Sequence, residues 1–122
     1  MKMFRKEEGF TLVELMVVVL IIGILVAIAI PVFNAARDNA QLKSCMANER
    51  TVEGAFQTWL ADGPAAADIT AAKANWAGLI GALVPGNIAK EPECPAEGTY
   101  SVTFAGDVPT VDCTVHGTLE EN

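Results

Sequence analysis

Glu14 is the one charged residue in an otherwise apolar stretch, Phe10 to Phe33, which reads FTLVELMVVVLIIGILVAIAIPVF. A carboxylate at the centre of a bilayer costs about 2.5 to 3.5 kcal/mol on insertion scales, and less toward the interface, so Glu14 is expected to have a partner. Three cysteines, Cys45, Cys94 and Cys113, and one histidine, His116, carry the remaining soft or nucleophilic chemistry. Three cysteines are too few for a disulfide-dense scaffold, and one bridge with one thiol left over is the simplest arithmetic. A catalytic His116 would need a nucleophile and an orienting acid. Ser44, Ser101 and the acidic residues offer no recognisable arrangement, so His116 reads as a surface or strand-end side chain and no enzyme is expected. Asp107, Asp112, Glu93 and Glu97 lack an EF-hand spacing. No metal site and no cofactor are expected.

The elements that must position these residues follow from composition. The chain has 122 residues, enough for one small domain once the apolar stretch is set aside. Its formal net charge is -7 and it has no Lys/Arg-rich run, so nucleic-acid binding is not expected of its acidic C-terminal part. Residues 1–9 form a short polar segment containing Lys2, Arg5 and Lys6. From Leu15 to Ile30 no side chain is polar. At ~1.5 Å per residue, about 20 such residues in a helix match a hydrocarbon core of ~30 Å, so residues 10–33 can cross a membrane. The basic residues ahead of it place that end in the cytoplasm and the rest of the chain on the other side. An ordinary secretory signal has its small-residue cleavage site after the apolar region, and Ile30-Pro31-Val32-Phe33 offers no clear one.

Residues 34–62 turn amphipathic. Leu42, Cys45, Val52, Phe56, Trp59 and Leu60 fall on one helical stripe, with Glu49 intruding on it. The simplest structure is one long helix across residues 10–62, kinked at Pro31, where a backbone hydrogen bond is lost. Asp62-Gly63-Pro64 stops it, and residues 63–122 make a small head. Within the head, Trp76, Leu79, Ile80, Leu83 and Val84 predict a short second helix capped by Asn75. Alternation at Tyr100, Val102 and Phe104, then at Val111, Cys113 and Val115, predicts a β-hairpin whose apolar face covers the long helix. The fold class is α+β. Cys94 precedes the first strand and Cys113 lies on the inward face of the second, so a Cys94–Cys113 bridge would close a loop of roughly 20 residues, about 3 kcal/mol in the chain-entropy model. Two free buried thiols are the alternative. Cys45, centred on the helix stripe, is expected to be a free buried thiol rather than a partner for Cys94 or Cys113.

The run Gly9-Phe10-Thr11-Leu12-Val13-Glu14 resembles the processing site of type IV prepilins and pseudopilins. The resemblance implies that a membrane peptidase cuts between Gly9 and Phe10 and N-methylates Phe10, leaving Glu14 as the fifth residue of the mature chain. It also implies that Glu14 meets the N-terminal amine of a neighbouring subunit, that Pro31 marks a bend, and that the apolar helix drives a helical homo-oligomer. Expected partners are the prepilin peptidase and methylase, the membrane and an inner-membrane assembly platform. The precursor would span the bacterial cytoplasmic membrane once, and the product would be an extracellular or periplasmic filament. Two other roles stay open: a major-type pseudopilin of a type II secretion or competence apparatus, and a membrane-anchored binding protein that never polymerises.

Overall fold

The computed structural model describes residues 9–119, so the leader ahead of Gly9 lies outside the described residues. The chain divides into two compact units, one ending at Arg37 and one beginning at Asp38. The first α-helix, α1, covers Leu12–Ala61 and is helical on both sides of Pro31. In the first unit α1 is a bare apolar rod. Every large apolar side chain from Phe10 to Phe33 is between 45% and 89% exposed.

The second unit begins with the amphipathic half of α1. Cys45, Glu49, Val52 and Phe56 are its buried residues, while Leu42, Trp59 and Leu60 of the expected stripe are half-buried. The helix ends where expected. Gly63 takes the left-handed conformation, φ 74°, its amide donates to the Leu60 carbonyl, and Pro64 prevents continuation.

Two short helices follow where one was expected: α2, Ala66–Ala74, and α3, Trp76–Leu83. The correction lies in α2, which has no apolar stripe to announce it and forms on the intrinsic preference of alanine. Asn75 separates the two, and its Oδ1 accepts from the Gly78 amide at 2.8 Å, the expected cap. A Cβ on Gly78 would meet the Ala71 carbonyl oxygen at 2.2 Å, so the close approach of the two helices requires glycine there.

The sheet has three antiparallel strands in the order β1-β2-β3: Tyr100–Ala105, Val108–Cys113 and Gly117–Thr118. The expected hairpin is β1–β2, pairing Tyr100 with Cys113 and Ala105 with Val108 around Gly106-Asp107. Its second strand ends at Cys113, so Val115, expected on the apolar face, lies in the following turn and is exposed. The third strand is an addition, two residues long, pairing Cys113 with Gly117 and Asp112 with Thr118. Because β3 is so short, the Val111 amide has no strand partner and donates instead to Glu53 Oε1 of α1 at 3.0 Å. Gln57 Nε2 likewise donates to the Asp107 carbonyl at 2.8 Å, fastening the hairpin turn to the helix.

The core gathers Val52 and Phe56 from α1, Ala72 from α2, Leu79, Ile80 and Leu83 from α3, and Val111 from β2. Phe56 is its centre, with ring centroids 5.7 Å from Trp59 and 5.2 Å from Phe104. Glu49 is the exception on this face. It is fully buried, and its Oε2 has no hydrogen-bond partner among the described residues.

These contacts set two opposite expectations for stability. Phe56→Ala opens a cavity shared by a helix and a strand and should destabilise the head by about 3–5 kcal/mol. Glu49→Met fills the same space without burying an unsatisfied carboxyl and should stabilise it by about 1–3 kcal/mol. Urea unfolding of the full chain in detergent micelles, followed by Trp59 and Trp76 fluorescence, measures both.

Candidate functional site

Chemistry-bearing groups gather at two places, one in each unit. The first is the start of α1. Thr11 and Glu14 face each other as a reciprocal pair: the Glu14 amide donates to Thr11 Oγ1 at 3.2 Å, and the Thr11 amide donates to Glu14 Oε2 at 2.9 Å. This is a capping box. It satisfies two of the backbone donors that a helix start leaves open, which in hydrocarbon would otherwise be costly. It also holds a carboxylate at the positive end of the helix dipole. Among the described residues only Oε2 is engaged, so Oε1 can accept a further hydrogen bond. Gly9 and Phe10, the expected cleavage and methylation residues, precede this box and are exposed. The Thr-x-x-Glu spacing was available in the sequence as Thr11-Leu12-Val13-Glu14.

The second place is the buried end of the β1–β2 hairpin. Cys45 comes from α1, Cys94 from the segment before β1, Cys113 from the end of β2, and His116 from the turn before β3. Their four ligand atoms all lie within 4.8 Å of one another. Cys94 and Cys113 have sulfurs 3.6 Å apart, and His116 Nδ1 is 3.6 Å from the first and 3.8 Å from the second. All three cysteines are thiols and buried. The fold thus brings Cys45 and His116, which the sequence set apart, against the pair expected to form a bridge. The overlooked signal is Cys113-Thr114-Val115-His116, a Cys-x-x-His step of the kind found in zinc sites, which the expectation of no metal site passed over.

The surroundings act differently on each group. Burial pushes the Cys45 thiol up to about 12, although the Tyr100 hydroxyl, 3.3 Å from its sulfur, works the other way. Burial would also raise Cys94, but hydrogen bonds from the backbone at Ala96 and Gly98, together with Cys113 and Cys45, outweigh it and lower its pKa. Tyr100 is raised by burial and by Cys45, and its oxygen accepts from Asn48 Nδ2 at 3.1 Å. Glu49, one helical turn beyond Cys45, is raised by burial, and its Oε1 accepts from the Cys45 thiol at 3.8 Å.

Comparison with known proteins bears on the first place. Residues 4–30 match the family model of the prokaryotic N-terminal methylation motif. The chain is 32% identical to a type IV major fimbrial protein, FimA, of Dichelobacter nodosus over 118 residues, covering 95% of this chain and 74% of that one. It is 45% identical over 51 residues to the type IV narrow pilus major component PilA5 of Thermus thermophilus, covering 42% of this chain and 44% of the relative. It is also 34% identical over 58 residues to the type II secretion system core protein G of Pseudomonas aeruginosa, covering 48% of this chain and 41% of that protein. No solved structure matches.

The capping box has a direct readout. Thr11→Ala removes the N-cap and should weaken the first turn of α1 by about 0.5–2 kcal/mol, so amide exchange at Val13 to Leu15 should speed up roughly two- to thirtyfold. Hydrogen exchange on the full chain in micelles measures this, and amides beyond the second turn serve as the unchanged reference.

Proposed function

The chain belongs to the type IV pilin family, and from that premise we propose that it is cut between Gly9 and Phe10, N-methylated on Phe10, and polymerised into a surface filament through α1. One observation supports this above the others: an apolar helix that nothing among the described residues covers begins at a capped carboxylate directly after Gly9-Phe10. A single copy of such a helix is at home in lipid. In a bundle of copies the same side chains pack on one another, and small residues such as Gly23 and Ala27, one turn apart, allow close approach.

Cleavage supplies what Glu14 lacks. Removing residues 1–9 leaves a cationic amine on Phe10, four residues before Glu14. Glu14 holds its carboxylate with one oxygen on its own Thr11 amide. The amine of a neighbouring subunit at the same depth would neutralise it, removing the cost of a lone charge in hydrocarbon. Pairing at a single depth fixes the stagger between subunits, as one buried polar group fixes register in a coiled coil. The prepilin peptidase and an inner-membrane assembly platform are the partners this pathway requires. In this scheme the precursor resides in the cytoplasmic membrane with its head outside.

A second reading, the pseudopilin of a secretion apparatus, is favoured by the likeness to the core protein G of type II secretion. Both readings use the same helix and the same cleavage. They differ in whether long filaments leave the cell.

Intact mass of material sheared from cells tests the central claim: the expected species begins at N-methylated Phe10, and a chain retaining Met1 to Gly9 would refute it. Long filaments in the sheared fraction identify a pilin; processed chain found only in the envelope identifies a pseudopilin. Glu14→Ala should be cleaved and yield no filaments. Glu14→Gln separates the two duties of this residue, because glutamine still serves in a capping box but carries no charge. If charge pairing drives assembly, Glu14→Gln fails like Glu14→Ala; normal filaments from it would show that the cap alone matters.

A further inference from the structure

We propose that Cys45, Cys94, Cys113 and His116 form a closed tetrahedral site for a zinc ion, which fastens the long helix to the sheet of the head. Zn–S bonds of ~2.3 Å and a Zn–N bond of ~2.0–2.1 Å in a tetrahedron place sulfurs about 3.8 Å from one another and the nitrogen about 3.5 Å from each sulfur. The observed separations are 3.6 Å between Cys94 and Cys113, and 3.6 and 3.8 Å from these to His116 Nδ1. Cys45 closes the set, with every ligand atom within 4.8 Å of the others. Three soft sulfurs and an imidazole nitrogen suit zinc among the common divalent ions, and four protein ligands leave no open position for catalysis.

The surroundings are those of a ligand set. The Cys94 carbonyl accepts from the Glu97 amide at 3.0 Å, a tight turn through Pro95 that leaves Glu97 at φ 60°. That turn directs the backbone at Ala96 and Gly98 toward the Cys94 sulfur, the kind of outer-shell hydrogen bonding that steadies a metal-bound thiolate. The Tyr100 hydroxyl does the same for Cys45 at 3.3 Å and is itself held by Asn48. Gly98 is the close-packed wall of the site. A Cβ there would lie 2.7 Å from the Cys113 sulfur and 3.1 Å from that of Cys94. A Cys94–Cys113 disulfide would instead require the sulfurs to close from 3.6 Å to about 2.05 Å, and it would use neither Cys45 nor His116.

Binding is a proton exchange: Zn²⁺ displaces the protons of the three thiols, neutral imidazole donates through Nδ1, and three protons leave to solvent. The consequence is structural. The site ties α1, the Cys94 turn and the β2–β3 turn at one point in a head with a modest core, where small domains commonly use a disulfide or a metal.

The test uses the full chain, extracted in detergent and purified anaerobically under mild reduction. The expected result is one zinc per chain by elemental analysis, with all three thiols unoxidised by intact mass. After chelation, Co²⁺ should bind one per chain and give the thiolate charge-transfer and intense visible bands of a tetrahedral sulfur-rich site. Cys45→Ser and His116→Ala should each lose the metal or shift that spectrum. Cys45→Ser separates the two models, since a Cys94–Cys113 bridge does not need Cys45. Reduced wild-type chain that takes up no Co²⁺, or metal retained unchanged in both variants, overturns the proposal. Because the wild-type cobalt spectrum decides by itself, a variant that fails to fold does not rescue it.

Discussion

The constraint on which everything else depends is that the apolar half of α1 has no cover among the described residues. Leu12 to Phe33 form continuous helix, so most backbone donors and acceptors are satisfied within it, and apart from Glu14 only apolar side chains meet the surroundings. Water is an unfavourable neighbour for that surface at ~25 cal/mol per Å², and lipid or another such helix is a favourable one. The two favourable environments are close in energy because hydrocarbon and leucine are equally apolar. The choice between them therefore falls to polar groups and fit, and in this segment the polar group is Glu14. A purely apolar rod would stay in lipid or aggregate without register.

The head obeys a different rule, that of a small core drawing on every element. Phe56 supplies much of it by touching Trp59 of its own helix and Phe104 of β1. The hairpin is fixed to α1 by side chains that meet backbone needs the short sheet leaves open, Glu53 at Val111 and Gln57 at Asp107. Buried Glu49 runs against this economy. Its second oxygen, without a partner among the described residues, is a cost the fold carries beside the sulfur cluster, and burial answers part of it by favouring the neutral acid.

What could be read in advance follows the strength of periodic signals. The long helix was legible because apolar residues run unbroken and then recur at helical spacing, and its end because Gly63 and Pro64 leave few alternatives. The Asn75 cap was legible for the same local reason. Helix α2 was not, since alanine forms helix without marking a face, and β3 was not, since two residues carry no alternation. The sulfur cluster lay furthest out of reach. Its members come from a helix, a turn, a strand end and a second turn, and only the Cys113 to His116 step is local in the chain.

The shared motif and the head divide the work unequally. The matched methylation motif spans residues 4–30 and contains nothing of the head. Relatives named for pili and for secretion resemble the same chain. Cleavage, anchoring and helix packing therefore cannot by themselves distinguish one filament from another. Any distinction must come from surfaces that the filament leaves exposed, and these are held in place by the head's core and by whatever closes its sulfur cluster. In a domain this small, the fastening of α1 to the sheet sets how rigidly those surfaces are presented. The zinc proposed at Cys45, Cys94, Cys113 and His116 would thus bear on function although none of these residues needs to touch a partner.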